Sequence, residues 1–302
     1  MLKNIEYFKI SQKNPEPHLD KNYFVIEKFP ELAKYVSGIK EIKEILITIK
    51  KLREAGEKEE IQEKYFVKLF DIFNNNFSNC SELGCFVNAC DTTRDLIQKD
   101  FSSFKKITLL FIKNRELNDK VPENWVQAIV DSNSSRKKGE LGEKKLISIL
   151  KKYKYEEVHS WEKFYKKNKC VVRFSKEIFS TESIREKLKL KIAAKKQDKR
   201  LDLLIKNNKK IFLLEAKHLN VGGGEQDKQI SELIEILSLK KERENIFYVA
   251  FLDGTYSNVL LGEIKKRAKK RLEQRADIEK YLKNNKQNYW INTAGFKKLF
   301  SA

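Results

Sequence analysis

"RLDLLIKNNKKIFLLEAKHL", residues 200–219, decides how this chain is read. Two apolar runs of strand length flank a short polar link, the composition of a β-hairpin, and Asn207-Asn208 can take the positive backbone angles of a tight turn. A two-residue turn flanked by Lys206 and Lys209 places Asp202 opposite Leu213. Side chains alternate faces along a strand, so Leu213, Glu215 and Lys217 share the face of Asp202, with Glu215 diagonal to it at roughly 7–8 Å between backbone positions. Two readings are open at this point. One is a surface hairpin with a Glu-Lys pair on its wet face; the other is a cluster of two carboxylates and a lysine assembled for chemistry.

The chemical reading is specific. Two carboxylates at that separation reach one hard cation, since oxygen ligands sit about 2.0–2.1 Å from Mg²⁺. A divalent ion beside a phosphodiester binds a non-bridging oxygen, lowers the pKa of a bound water and neutralises charge on the leaving oxygen. Lys217 adds a compact cation for the transition state or, with a depressed pKa, a general base.

Upstream, the polar run from Asp131 to Ser135 marks a boundary, and a helix is expected from about Gly139 to Lys152. Its periodicity buries Leu146, Ile147, Ile149 and Leu150 and turns Glu143 to the same side. An acid facing a core needs a partner or a cation; the alternative is a solvated acid in the helix's first turn, favoured by the dipole. Residues 136–200 hold 22 Lys or Arg against 9 Asp or Glu, a surplus of 13 in a chain whose net charge is +20. A phosphate backbone is the natural partner for that clustering.

The helix acid in "RKKGELGE", the strand-borne Asp202 and the Glu215-Ala216-Lys217 tripeptide together resemble the PD-(D/E)xK nuclease superfamily, over about residues 136–252. The family's name advertises a proline before the aspartate, where this chain has Leu201. The resemblance implies an α/β fold with a restriction-endonuclease-like core, a mixed β-sheet flanked by helices. It implies catalytic roles for Glu143, Asp202, Glu215 and Lys217, and a Mg²⁺ site, with Mn²⁺ as substitute, made by Asp202, Glu215, Glu143 and the backbone carbonyl of Ala216. Within the superfamily the chain is most similar to Type II restriction endonucleases. That implies sequence-specific cleavage of double-stranded DNA by a homodimer, with a cognate DNA methyltransferase encoded separately and not a stable subunit. Two alternatives stand beside it: a structure-directed nuclease of the resolvase or repair type on the same fold, and a non-catalytic nucleic-acid-binding module.

After the hairpin, Gly222 to Gly224 either let backbone amides approach a phosphate or form a flexible loop. A helix follows with Ile230, Leu233, Ile234 and Leu237 as its apolar stripe, opened by Gln226, Lys228 and Gln229, which with Arg136 and Lys137 are candidate DNA contacts. "NIFYVAFLDGTYS" reads as a strand ending in an Asp253-Gly254 turn, with Asp253 and Tyr256 bordering the site as the alternative. Residues 257–285 read as one long basic amphipathic helix whose Lys265, Lys266, Arg267, Lys269, Lys270 and Arg271 either clasp a DNA backbone or solvate its outer face. "QNYWINTAGFKKLF" reads as a strand and a short helix with Trp290 and Phe296 in the core.

Residues 1–130 read as a mainly helical domain for recognition or dimerisation and 131–302 as the nuclease domain. Asp91 or Thr92 is the expected cap of a helix after the turn-rich stretch at 74–83. Cys80, Cys85, Cys90 and Cys170 lack the paired two-residue gaps of zinc ribbons and read as buried free thiols of a reducing compartment. The chain has neither a run of about 18 apolar residues nor an apolar N-terminal stretch, so a cytoplasmic, membrane-free protein is expected.

Overall fold

The computed structural model describes residues 2–26, 31–74, 81–90, 92, 94–132, 138–191, 201–240 and 242–301. Arg136, Lys137, Cys80, Asp91 and the basic residues 192–200 lie outside them. The chain forms two units, Met1–Phe24 with Lys137–Ala302, and Val25–Arg136. This corrects the expected division at residue 130. The first 24 residues belong with the sheet because Tyr7 and Phe8 of α1 (Asn4–Lys13) are buried there, and because Asn4 Nδ2 donates to the carbonyls of Leu282 and Asn288 at 2.7 and 3.0 Å.

The inserted unit contains α2 (Glu31–Glu54), α3 (Glu59–Asn74), α4 (Glu82–Ala89), α5 (Arg94–Ile97), α6 (Phe101–Asn114) and α7 (Glu123–Ser132). Ile42, Ile45, Leu46 and Ile49 recur at helical spacing on α2 and pack with Phe66, Leu69 and Phe73 of α3. The helical run expected after the turn-rich stretch is divided into α5 and α6; of its expected caps Asp91 lies outside the described residues, and α6 has its own cap in Asp100, whose Oδ1 accepts the Ser103 N–H at 3.0 Å. The expectation of buried thiols holds for Cys170 alone among the described residues. Cys85 is exposed, because Leu83 and Val87 take the inward face of α4.

The first unit continues with α8 (Lys138–Lys152), β1 (Glu156–Glu157), α9 (Trp161–Lys166), β2 (Lys169–Arg173), α10 (Thr181–Leu188), β3 (Leu203–Asn207), β4 (Lys210–His218), α11 (Gly224–Ser238), β5 (Ile246–Asp253), α12 (Thr255–Leu261), α13 (Lys269–Asn284), β6 (Asn288–Ile291) and α14 (Thr293–Phe300). The six strands form one mixed sheet in sequence order: β2, β3 and β4 are antiparallel neighbours, and the β1–β2, β4–β5 and β5–β6 pairs are parallel. Helices cover both faces. Leu146 and Leu150 of α8 with Phe296 and Phe300 of α14 pack on Val171, Leu203, Leu214 and Val249. On the opposite face, Ile184 of α10 and Ile236 of α11 meet Leu204, Leu213 and Tyr248, while Leu233 of α11 and Ile278 of α13 meet Ala250, Leu252 and Trp290. Each such side chain contributes about 1.5–3 kcal/mol by leaving water. β5 lies between two parallel neighbours and is buried at every position, which is why its sequence is a continuous apolar run.

Two further expectations need correction. The hairpin turn falls on Asn208-Lys209, with Asn208 in the left-handed region at φ 55°, so Asn207 pairs Lys210 and Leu203 pairs Leu214. Positions that sum to 415 in the expected register sum to 417 here. A slip of two keeps every side chain on its face but moves Asp202 from opposite Leu213 to the level of Glu215. The long basic helix expected at 257–285 is broken into α12 and α13: the N–H of Gly262 bonds the Asn258 carbonyl at 2.8 Å and ends the first, and 262–268 is non-helical. Among the described residues no helix is long and apolar enough to cross a membrane.

Candidate active site

The far end of β4 carries two groups of polar residues, one on each side of the sheet. Alternation along the strand is the cause: Glu215 and Lys217 point toward the α11 side, and His218 points toward the α8 side.

On the first side, Asp202 enters just before β3. Its N–H donates to the Leu214 carbonyl at 2.9 Å, and its Oδ2 accepts the Ala216 N–H at 2.6 Å, so the carboxylate is clamped across the residue that precedes Ala216, Glu215. Glu215 is buried, with 1% of its surface exposed. Burial pushes the Asp202 carboxyl up to about 7; the charges of Glu215 and Glu143 add to the push, and the Ala216 N–H and the Lys217 ammonium oppose it. These influences bring all four residues singled out in the sequence into one neighbourhood. Lys217 Nζ lies 2.8 Å from Glu215 Oε1 and 3.6 Å from Glu232 Oε2 of α11. Burial alone lowers the Lys217 pKa, but Glu215 and Asp202 outweigh it and the net shift is upward. Lys217 is therefore held as an ammonium, which does not fit the general-base option. Glu143, half-buried on α8, is raised by burial and steadied by Arg173 at 3.7 Å.

A backbone N–H and C=O of one extended residue leave the strand on the same side, so the Ala216 carbonyl lies on the edge of β4 that faces Asp202. The donors that converge here are carboxylate and carbonyl oxygens, the ligand type of a hard divalent cation. A carboxyl whose proton affinity is raised by burial and by a neighbouring carboxylate, as that of Asp202 is, is also what a cation relieves.

The second group was not legible as a unit in the sequence. Lys145 stands on the buried stripe of α8 and is 5% exposed. Its Nζ lies 2.6 Å from Asp253 Oδ2, 2.7 Å from Asp20 and 3.9 Å from Glu16. Tyr23 donates its hydroxyl to Asp253 at 2.7 Å and stacks on His218 with ring centroids 3.5 Å apart, and His218 Nδ1 meets Asp253 Oδ1 at 2.8 Å. Oxygens of Glu16, Asp20 and Asp253 lie within 4.8 Å of one another, and this acidic triad could hold a metal ion. The Lys145 ammonium already supplies a positive charge in their midst. Burial pulls the Lys145 pKa down, but the charges of Asp253 and Glu16 outweigh that and raise it. Asp253, expected as a turn residue, is fully buried at the end of β5. The one signal available in the sequence was Lys145 itself, a lysine within an apolar helical stripe, which demands acids from elsewhere.

The loop after β4 closes this end. A Cβ on Gly222 would come within 2.6 Å of the Tyr256 ring, and one on Gly254, at φ +81°, within 2.3 Å of the Leu219 carbonyl, so both positions require glycine. Of the expected DNA contacts in α11, Gln226 and Gln229 are half-buried and Lys228 is exposed, paired with Glu225 at 3.3 Å. The expected contacts Arg136 and Lys137 lie outside the described residues. No family model, curated protein or solved structure matches this chain.

Proposed function

We propose that the protein is a Mg²⁺-dependent endonuclease of double-stranded DNA, built on the restriction-endonuclease-like core of the PD-(D/E)xK superfamily and acting as a Type II restriction enzyme. The observation that carries this reading is the clamp of Asp202 over β4 beside buried Glu215, with Lys217 two residues on and Glu143 within electrostatic reach.

Asp202, Glu215 and the Ala216 carbonyl would hold the metal, with Glu143 as the outer carboxylate. When bound, the ion supplies Lewis-acid polarisation of the phosphodiester and a water of lowered pKa. The protein's own groups do the rest. The Ala216 N–H fixes the orientation of Asp202, and the strand holds Glu215 rigidly, so no reorganisation is needed when the substrate arrives. Lys217, presented as an ammonium between Glu215 and Glu232, offsets charge that builds on the phosphoryl oxygens. Two copies in a two-fold homodimer would place two such centres on the two strands of a palindrome.

The test is digestion of unmethylated plasmid and phage DNA with Mg²⁺, wild type beside Lys217→Ala. Discrete bands lost in the variant support a sequence-specific endonuclease. A smear, or cleavage confined to branched DNA, replaces it with a non-specific or structure-directed nuclease. Intact DNA with every substrate, in Mg²⁺ and in Mn²⁺, overturns the catalytic reading.

A further inference from the structure

We infer that the non-helical link Lys265–Ala268 and the first turn of α13 form a second DNA-contact surface, which grips the phosphate backbone next to the cleaved bond. This rests on the nuclease reading for its choice of DNA as partner. Lys265, Lys266, Arg267, Lys269, Lys270 and Arg271 are six cations in seven residues, all exposed, with no acid among them. Fold stability does not account for them, because lysine and arginine in the first turn of a helix oppose its dipole, and α13 has no acid there. Two of the six are anchors. Lys270 Nζ pairs with Asp227 of α11 at 2.8 Å, and the Arg271 guanidinium lies 5.9 Å from the centre of the Tyr256 ring. The other four, Lys265, Lys266, Arg267 and Lys269, make no ion pair among the described residues.

The anchors fix where the four point of contact belongs. Asp227 also accepts from Gln274 Nε2 at 3.2 Å, and it stands in the first turn of α11. Tyr256 donates its N–H to the Leu219 carbonyl at 2.9 Å and packs its ring against Gly222. The cationic segment is thus tied through Lys270 to the first turn of α11, and through Arg271 to Tyr256, whose ring packs on the loop between β4 and α11. Gly222 is five steps along the chain from Lys217, a reach of at most about 18 Å. A backbone that enters the centre at Lys217 has its next phosphates within range of these side chains.

The experiment uses the full chain in the Lys217→Ala background, so that DNA is bound and not cut, and reads fluorescence anisotropy of a short labelled duplex between about 50 and 200 mM salt. Replacing Lys265, Lys266, Arg267 and Lys269 by Gln is expected to weaken binding at least tenfold at the lower salt. It should also reduce the slope of log K against log salt by about 2–4, at roughly 0.9 per lost phosphate contact. A charge-matched control replaces Lys152, Lys154, Lys297 and Lys298, exposed residues at the far end of α8 from Glu143 and on α14, and should leave the slope within about one unit. Equal slopes for the two variants overturn the surface. Tighter binding of a duplex RNA of the same length overturns the commitment to DNA. If wild type cleaves and the slope does not change, the surface fails and the nuclease reading stands; if the slope changes and wild type never cleaves, the reverse holds.

Discussion

Asp202 accepts the Ala216 amide at 2.6 Å, from a position level with Glu215 on the neighbouring strand. The bond fixes the carboxylate, but burial and Glu215 still raise its pKa to about 7, above the ordinary aspartate value. A carboxyl raised in the folded state binds more protons folded than unfolded, so its ionisation costs stability as pH rises from about 4 to about 7. In chelator, Asp202→Asn removes that cost. Its melting temperature should exceed that of wild type by several degrees near pH 8, and by much less near pH 5. A difference independent of pH would remove the electrostatic account.

The same pair should respond to cations. Mg²⁺ or Mn²⁺ at about 100 times its dissociation constant stabilises the folded state by about 2.7 kcal/mol, a rise of roughly 5–10 °C. Asp202→Ala and Glu215→Ala should abolish the rise, and Lys217→Ala should keep it. A rise that survives Asp202→Ala but vanishes in Asp253→Ala would place the ion at the Lys145 cluster instead.

Lys217 has two carboxylates within 4 Å, Glu215 and Glu232. A cation at Glu215 competes for that carboxylate, and Glu232 then becomes the group that positions the ammonium. In steady-state cleavage assays Glu232→Gln should lower kcat about tenfold with KM changed less than about threefold, and Glu232→Asp should recover part of the loss. An unchanged kcat in Glu232→Gln removes this role.

Lys145→Met leaves Glu16, Asp20 and Asp253 together without their ammonium. Breaking a buried ion pair on one side costs about 3–5 kcal/mol. Burial already raises Glu16, and loss of the lysine raises it further, so the variant's deficit should grow with rising pH and shrink in acid. Thermal melts between about pH 5 and pH 8 check this sign, and a deficit that shrinks as pH rises contradicts it.

The hairpin was legible because a period of two is written into Leu203–Asn207 and Lys210–His218, and so were Glu143, Asp202, Glu215 and Lys217, because polar residues on apolar elements stand out. The register was not legible: Asn207-Asn208 and Asn208-Lys209 both satisfy turn chemistry, and only packing selects between them. Because the slip is even, Asp202, Glu215 and Lys217 kept the shared face expected of them. The Lys145 cluster was hidden for a different reason. Its partners come from a single 3₁₀ turn at Lys21–Tyr23, the coil before it and the end of β5, and no local pattern links segments so far apart in sequence. The break at Gly262 was masked by charge, since the basic residues on either side suit a helix surface as well as a link.

The hydrogen bond from Tyr23 to Asp253 joins residues 230 positions apart, with a whole helical unit between them. During synthesis at about 5–20 residues per second, Glu16, Asp20 and Tyr23 leave the ribosome on the order of 10–50 s before the strand that receives them. The acids of the N-terminal segment wait in solvent while the inserted unit, whose core is its own, can fold ahead of them. The sheet unit closes where α1 packs on β6 and α14, so the residues around Lys217 reach their working arrangement only after those two elements have been made.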